Sequence, residues 1–370
     1  MSKITIPRGL RPLDGRFGSG PSRISPAQLD HLMQHSSILG TSHRQAPVME
    51  LVGRVREALR SYFDLPHNYE VVMGNGGSTA FWDIASFSLA KKKSAHLVFG
   101  EFGKKCADTH NVPWLDEPSI FSSKPGDLGK LIAEPGVDTY AWPHNETSTG
   151  VMAPVVKIEG TDPGALMMID GTSAAGGLAF TVSEIDVYYF APQKNFASDG
   201  GIWFALMSSK AIERAFDIES TGRYIPSFLS LTKAIENSRA NQTLNTPAIT
   251  TLLLMEAQLN WLREIGGFEV VANRCLETSR LLYEWSESKP FLSPFVSNPL
   301  HRSNVVVTLD LDEKINAGHL TEVLRDNGIL DIEPYRKLGR NQIRVATFAG
   351  VPKSDIEKLI SSVEFVVSKL

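Results

Sequence analysis

Apolar positions along the chain follow two periods. In residues 48–63 they recur every three to four residues. Val48, Leu51, Val52, Val55, Leu59 and Tyr62 fall on one face, which predicts an amphipathic helix. Shorter apolar runs at 70–73, 96–100, 138–142, 166–170, 187–191 and 201–206 predict strands. Several are apolar on both faces, as strands covered on both sides are. The run at 201–206 follows its predecessor too closely for a helical crossover, so it is expected to pair antiparallel. Helical stretches at 28–35, 80–89 and 248–265 alternate with these runs, Cys106 falls in a further helix, and Gly266-Gly267 closes the stretch 248–265. Beyond residue 267 the rhythm changes. Helix 268–286, strand 304–309, helix 317–327, strand 342–347 and helix 353–368 predict a smaller unit. The chain therefore reads as α/β: a large domain over 15–260 with a mainly parallel sheet flanked by helices, and a smaller α+β C-terminal domain over 261–370 joined by the N-terminal segment 1–14. No internal repeat or low-complexity segment interrupts it.

Composition narrows the function. With 370 residues, 42% hydrophobic and 21% charged, the chain resembles an ordinary globular protein with a large core. A net charge of −4 and the lack of a basic tract argue against a nucleic-acid partner. No apolar run reaches the ~20 residues that a membrane helix needs. The first twenty residues are polar and rich in glycine and proline, without the apolar stretch of a signal peptide. Two cysteines, Cys106 and Cys275, suit a reducing compartment, and a cytoplasmic location is expected. The nine histidines are scattered; His31 and His35 share a helix face without an evident third ligand, so no metal site is expected. Cys275 shares an apolar stripe with Phe268, Val271, Thr278 and Leu282, which makes it a core residue.

Candidate chemistry centres on Gln193-Lys194-Asn195, which closes the apolar run 187–191 and Pro192. Asp170 closes the preceding run. A buried carboxylate followed by a lysine at the next strand end matches the needs of pyridoxal phosphate. The lysine holds the aldehyde covalently, and the carboxylate keeps the pyridine nitrogen protonated. Read singly, each residue has a plainer explanation, a solvated strand cap and a turn former. A third element joins them: Gly74-Asn75-Gly76-Gly77-Ser78-Thr79, between strand 70–73 and a helix. Glycines let a backbone approach a phosphate, and Ser78 and Thr79 add hydroxyls at a helix N-terminus. The spacing is neither a dinucleotide fingerprint nor a Walker loop, and a small phosphate cup fits it better.

These residues, in this order, carry a resemblance. It rests on Phe17-Gly18-Ser19-Gly20-Pro21, Thr41-Ser42-His43-Arg44, Gly76-Gly77-Ser78-Thr79, His144-Asn145-Glu146-Thr147, Asp170, Gln193-Lys194-Asn195, Leu244-Asn245-Thr246-Pro247 and Arg344. Together they resemble the phosphoserine aminotransferases, in the class V branch of the fold-type I pyridoxal-phosphate enzymes. The segment Tyr335-Arg336-Lys337-Leu338-Gly339-Arg340-Asn341-Gln342-Ile343-Arg344 is most similar to the actinobacterial variety. The resemblance spans nearly the whole chain.

The resemblance implies transamination of 3-phosphohydroxypyruvate with L-glutamate, giving O-phospho-L-serine and 2-oxoglutarate. The residues do not separate this acceptor from the phosphorylated hydroxythreonine of pyridoxine synthesis. Lys194 would be the covalent lysine and Asp170 the partner of the ring nitrogen. Gly77, Ser78, Thr79 and Gln193 would hold the cofactor phosphate, joined by Asn245 and Thr246 from the second subunit of a homodimer. Thr147 would meet the phenolic oxygen. Phe102 would face the ring where many members place tryptophan. His43, Arg44 and Arg336 would hold the substrate phosphate, and Arg344 its α-carboxylate. Tyr335 departs from the family pattern, since a histidine usually stands there. Lys337 and Arg340 read as a solvated basic loop. Two rivals are a sister class V enzyme, such as an alanine–glyoxylate aminotransferase or a cysteine desulfurase, and a binding protein that has lost catalysis.

Overall fold

The structure, a computed structural model, describes residues 4–370. Helices α1 (Pro26–Gln34) and α2 (Ala46–Tyr62) lead into β1 (Tyr69–Asn75) and α3 (Ser78–Ser88). Then follow β2 (Ser94–Val98), α4 (Glu101–Asp108), β3 (Ser119–Ser122), β4 (Thr139–Pro143), the short pair β5 (Asn145–Glu146) and β6 (Val151–Met152), β7 (Leu166–Asp170), β8 (Val187–Phe190) and β9 (Ile202–Ser208). The seven-stranded sheet has the order β1-β9-β8-β7-β4-β2-β3. The five strands from β8 to β3 run parallel, whereas β9 runs antiparallel to both β8 and β1, as its short connection required.

Both faces of this sheet are covered, and the period of two sorts its side chains. Met167 and Ile169, Tyr188 and Phe190, and Ile202, Phe204 and Leu206 join α2 and α7 (Ile249–Glu264) in one core. Their alternates Leu166, Met168, Val187, Tyr189, Trp203, Ala205 and Met207 join α3, α5 (Ser209–Ser220) and α6 (Leu231–Arg239) in another. This explains why the runs read as continuously apolar. Expectation missed α5, α6 and β3. In β3 half-buried and exposed positions alternate over only four residues, and α6 is a nine-residue stretch with a polar outer face.

A second, antiparallel sheet has the order β10 (Leu292–Pro294), β11 (Val306–Leu311), β12 (Gln342–Ala346). Helices α8 (Gly267–Glu287), α9 (Ala317–Asp326) and α10 (Lys353–Val367) pack with it around a further core. Of the segment 1–14 assigned to the smaller unit, residues 1–3 lie outside the described residues, while Ile6 is buried in that core; so is Phe17, which the expectation gave to the large domain. Helix α8 serves both regions: Val271 and Cys275 face the large core, Leu282, Tyr283 and Trp285 the smaller one. No helix among the described residues is long and apolar enough to cross a membrane.

The carboxyl ends of β1, β2, β4, β7 and β8 point the same way, and a parallel sheet offers its ligand crevice there. One close approach frames it. Gly74 of β1 lies opposite Trp203 of β9, and a Cβ at Gly74 would overlap the buried indole. Overpacking a filled core costs about 1–3 kcal/mol. Gly74→Ala is therefore expected to lower stability by about that amount, read as a shifted denaturant midpoint. An unchanged midpoint would show that the indole yields freely.

Candidate active site

β1 ends at Asn75, Gly76 takes a positive φ of 111°, and the chain turns directly into α3 at Ser78. The helix thus starts two residues earlier than its apolar pattern suggested, which puts Ser78 and Thr79 in its first turn. No side chain caps this end, so its amides and the helix dipole are open to an anion.

Asp170, at the end of β7, is buried and held on all sides. Trp82 Nε1 donates to it at 3.2 Å and the Thr172 amide at 2.8 Å. The Thr172 hydroxyl bridges Asp170 and the Ser78 hydroxyl, 2.7 Å from the latter. Burial raises the Asp170 pKa above the ordinary carboxylate value, and these donors pull it back.

Lys194 sits in the turn after β8, braced by Asn195, whose amide donates to Ser173 O at 3.0 Å. Its Nζ donates to the Ser19 carbonyl. Gly20 is glycine for a steric reason, because a Cβ there would collide with the lysine amine. Enclosure and the neighbouring Arg344 push the Lys194 pKa down to about 8, against the pull of Asp170 and Glu146.

Gly77, Ser78, Thr79, Phe102, Thr147, Asp170, Gln193 and Lys194 line one cavity of about 200 Å³, together with Trp82, Pro143, Asn145, Thr172 and Ser173. One water needs only roughly 10–15 Å³, so the space suits a small molecule. Two of its lining residues carry buried polar atoms without partners, Asn145 Oδ1 and Gln193 Oε1; Ser19 Oγ and Arg344 Nε, on residues hydrogen-bonded to Lys194 and to Thr147, are unpartnered too. Such atoms are costly unless a ligand meets them. Arg344, on β12, donates to Thr147 O at 3.0 Å and lies 5.6 Å from the centre of the Tyr335 ring.

The remaining expected residues lie elsewhere. Arg336 is in the turn 336–338 and has no ion pair among the described residues. Its neighbours are engaged: Lys337 with Glu101, and Arg340 with Asp310 at 2.6 Å. His43, Arg44, Asn245 and Thr246 line none of the cavity and instead form a group of their own. His43 Nδ1 is 3.0 Å from Thr246 Oγ1, Arg44 donates to Gln242 and to Leu244 O, and the Asn75 amide donates to the carbonyls of Asn245 and Thr246.

Sequence reasoning missed Ser19, Trp82, Asn145, Thr172 and Ser173. Two signals were present: Trp82 follows Ser78 by one helical turn, and Ser19 and Asn145 sit inside motifs already singled out. Two histidine readings change. His31, expected to have no acidic neighbour, meets Glu256 at 2.9 Å, beside Arg54. His96 and His110 are not scattered: with Cys106 they form a buried cluster whose nitrogen and sulfur atoms lie within 4.8 Å of one another. Burial pushes His110 down to about 4 and the Cys106 thiol up.

Residues 18–331 match the family model described as Aminotransferase class-V. The chain is 53% identical to a phosphoserine aminotransferase of Nocardioides sp., over 99% of both chains. Its fold is similar to that of a phosphoserine aminotransferase of Cytophaga hutchinsonii, with a TM-score of 0.86 at 22% identity, covering 95% of this chain and 99% of that one. It is also similar to a pyridoxal-phosphate-bound phosphoserine aminotransferase of Trichomonas vaginalis, with a TM-score of 0.77 at 18% identity, covering 95% and 99%.

The depressed lysine has a measurable consequence. In the cofactor-free protein, trinitrobenzenesulfonate should label Lys194 with a rate that rises with pH around about 8, because only the neutral amine attacks. The same shift makes the folded state gain stability between about pH 8 and 10.5, where the unfolded chain still holds the proton. A labelling midpoint near 10.5, read by peptide mass spectrometry, would remove Lys194 from the role of an activated amine.

Proposed function

The chain belongs to the class-V aminotransferases, and on that premise we propose that it transfers the amino group of L-glutamate to 3-phosphohydroxypyruvate. The products are O-phospho-L-serine and 2-oxoglutarate, the cofactor is pyridoxal 5′-phosphate, and the setting is serine biosynthesis. One observation carries this reading: Lys194, Asp170 and the uncapped N-terminus of α3 share a single cavity. The fit to the cofactor is supported by the unpartnered Asn145 and Gln193 oxygens within it.

When bound, the cofactor supplies an electron-accepting ring that draws charge from the substrate's α-carbon. The rest is done by the chain. Gly77, Ser78, Thr79 and Gln193 receive the phosphate at the positive end of α3. Asp170 holds a proton on the ring nitrogen, aimed by Trp82 and Thr172. Thr147 and Phe102 line the cavity, where Thr147 would meet the phenolic oxygen and Phe102 would offer the ring its apolar surface. Arg344 presents a planar fork to the α-carboxylate, with one arm fixed on Thr147 O. Lys194 would hold the aldehyde covalently and, when freed from it, would carry the proton between the substrate's α-carbon and the cofactor as general base and acid. An amine held near pKa 8 can do both around neutral pH.

Arg336 supplies a cation for the substrate phosphate. His43, Arg44, Asn245 and Thr246 gather outside the chain's own cavity, which supports a homodimer in which each copy lends this group to its neighbour's site. The buried His43 Nε2, unpartnered within one chain, points the same way. Two buried free cysteines support a cytoplasmic enzyme. They also disfavour persulfide chemistry, since burial pushes the Cys275 thiol up to about 12.

Three measurements test this reading. With glutamate as donor, 3-phosphohydroxypyruvate should far exceed hydroxypyruvate and glyoxylate as acceptor. Arg336→Ala should lower kcat/KM for the phosphorylated acceptor by about ten- to a hundredfold and leave weak hydroxypyruvate turnover nearly unchanged. Equal losses would make Arg336 structural. Separately, Lys194→Ala and Asn245→Ala/Thr246→Ala subunits, each inactive alone, should regain about a quarter of wild-type activity on mixing, since a mixed dimer has one whole site. No recovery in demonstrably mixed dimers would place Asn245 and Thr246 in their own chain's site.

A further inference from the structure

Glu146 is a fully buried carboxylate for which neither the resemblance nor the mechanism supplies a role. We propose that Glu146 is a positioning residue of this site: it holds the first turn of α4, and with it Phe102, against the turn that carries Asn145 and Thr147. The inference rests on the pyridoxal-phosphate reading above.

The geometry is that of a helix cap supplied from another element. Gly100 precedes α4 and offers no side chain to cap it. Glu146 Oε2 instead accepts from the Phe102 amide at 3.0 Å and the Gly103 amide at 2.9 Å. The other oxygen, Oε1, accepts from the Ser148 amide at 3.1 Å and the Ser148 hydroxyl at 2.7 Å. Ser148 Oγ in turn accepts from the Glu101 amide at 3.1 Å. Three amides of the first turn are thus met by two neighbouring side chains, and a negative charge lies at the positive end of the helix. Gly100 fits the same arrangement, because a Cβ there would occupy the space of the Glu146 side chain.

The carboxylate also ties the turn together. Asn145 and Thr147, its sequence neighbours, line the cavity, and Thr147 O receives Arg344. Glu146 is within electrostatic reach of both Lys194 and Arg344. One side chain therefore fixes the ring-facing Phe102, the turn behind Arg344 and part of the charge balance around the lysine.

Glu146→Gln is the test. It keeps the size but turns one acceptor end into an N–H donor facing amide donors, so at least one of the four hydrogen bonds must be lost. The expected result is a folded protein, by far-ultraviolet circular dichroism, that binds pyridoxal phosphate about ten- to a hundredfold more weakly. The visible dichroism of the bound cofactor should shrink, and KM for glutamate should rise by more than kcat falls. A variant that melts earlier but keeps the wild-type cofactor affinity, visible dichroism and KM would overturn the proposal and leave Glu146 as a stabiliser only. If Glu146→Gln does not fold, Ser148→Ala decides, since it keeps the charge and removes one donor to it. A weaker cofactor and a smaller visible band are expected, and unchanged values would overturn the proposal. A wild-type protein that bound no pyridoxal phosphate would sink the underlying reading, a result distinct from equal behaviour of wild type and variants.

Discussion

Lys194 can be enclosed only because carboxylates are buried with it. An ammonium removed from water pays a large desolvation cost, and a second cation, Arg344, stands nearby. Asp170 and Glu146 favour the charged lysine, Glu146 favours the charged Arg344 as well, and each carboxylate is itself met by several donors. The cluster survives burial because the charges offset and the lone pairs are occupied. What remains is a lysine whose pKa sits near the working pH, where an amine can both take and release a proton. The surroundings follow from that constraint. Gly20 and Gly100 are small because charged side chains pass against them, and Trp82 and Thr172 face inward because Asp170 needs donors.

The topology of the sheet brings these groups together. Its parallel strands end on one edge, so residues far apart in sequence arrive at one crevice: the cup after β1, Phe102 after β2, Asn145 and Thr147 after β4, Asp170 on β7 and Lys194 after β8. Cores on both faces of the sheet hold that edge in place. The smaller sheet adds Arg344 from the other side, and Tyr335 links it to the large domain by lying near both Arg344 and Phe102.

The division of labour at the surface is equally physical. A site for a doubly anionic substrate needs more cations than one cavity wall can bury. In the proposed dimer, Arg44 adds a cation from the neighbouring copy, with His43, Asn245 and Thr246 grouped around it.

The sequence by itself determined the elements whose physics is local. Period and run length separated α2 from the strands, the short link from β8 forced β9 antiparallel, and glycines before a helix marked the anion cup. It also paired Asp170 with Lys194, because consecutive parallel strands place their ends side by side. The start of α3 escaped it because its first turn is polar, and β3 because four half-buried or exposed residues carry no distinct period; α5 and α6 do carry a helical spacing, at Ala211, Ile212, Ala215 and Ile218 and at Leu231, Thr232, Ile235 and Ser238, which the expectation left out. Only the tertiary structure decided contacts between distant segments: Ser19 beneath Lys194, Glu256 beside His31, the His96–Cys106–His110 cluster, the separation of His43 and Arg44 from their own chain's cavity, and Glu146 at the start of α4. Each depends on which surfaces the sheet brings face to face, and no local spacing in the chain encodes that.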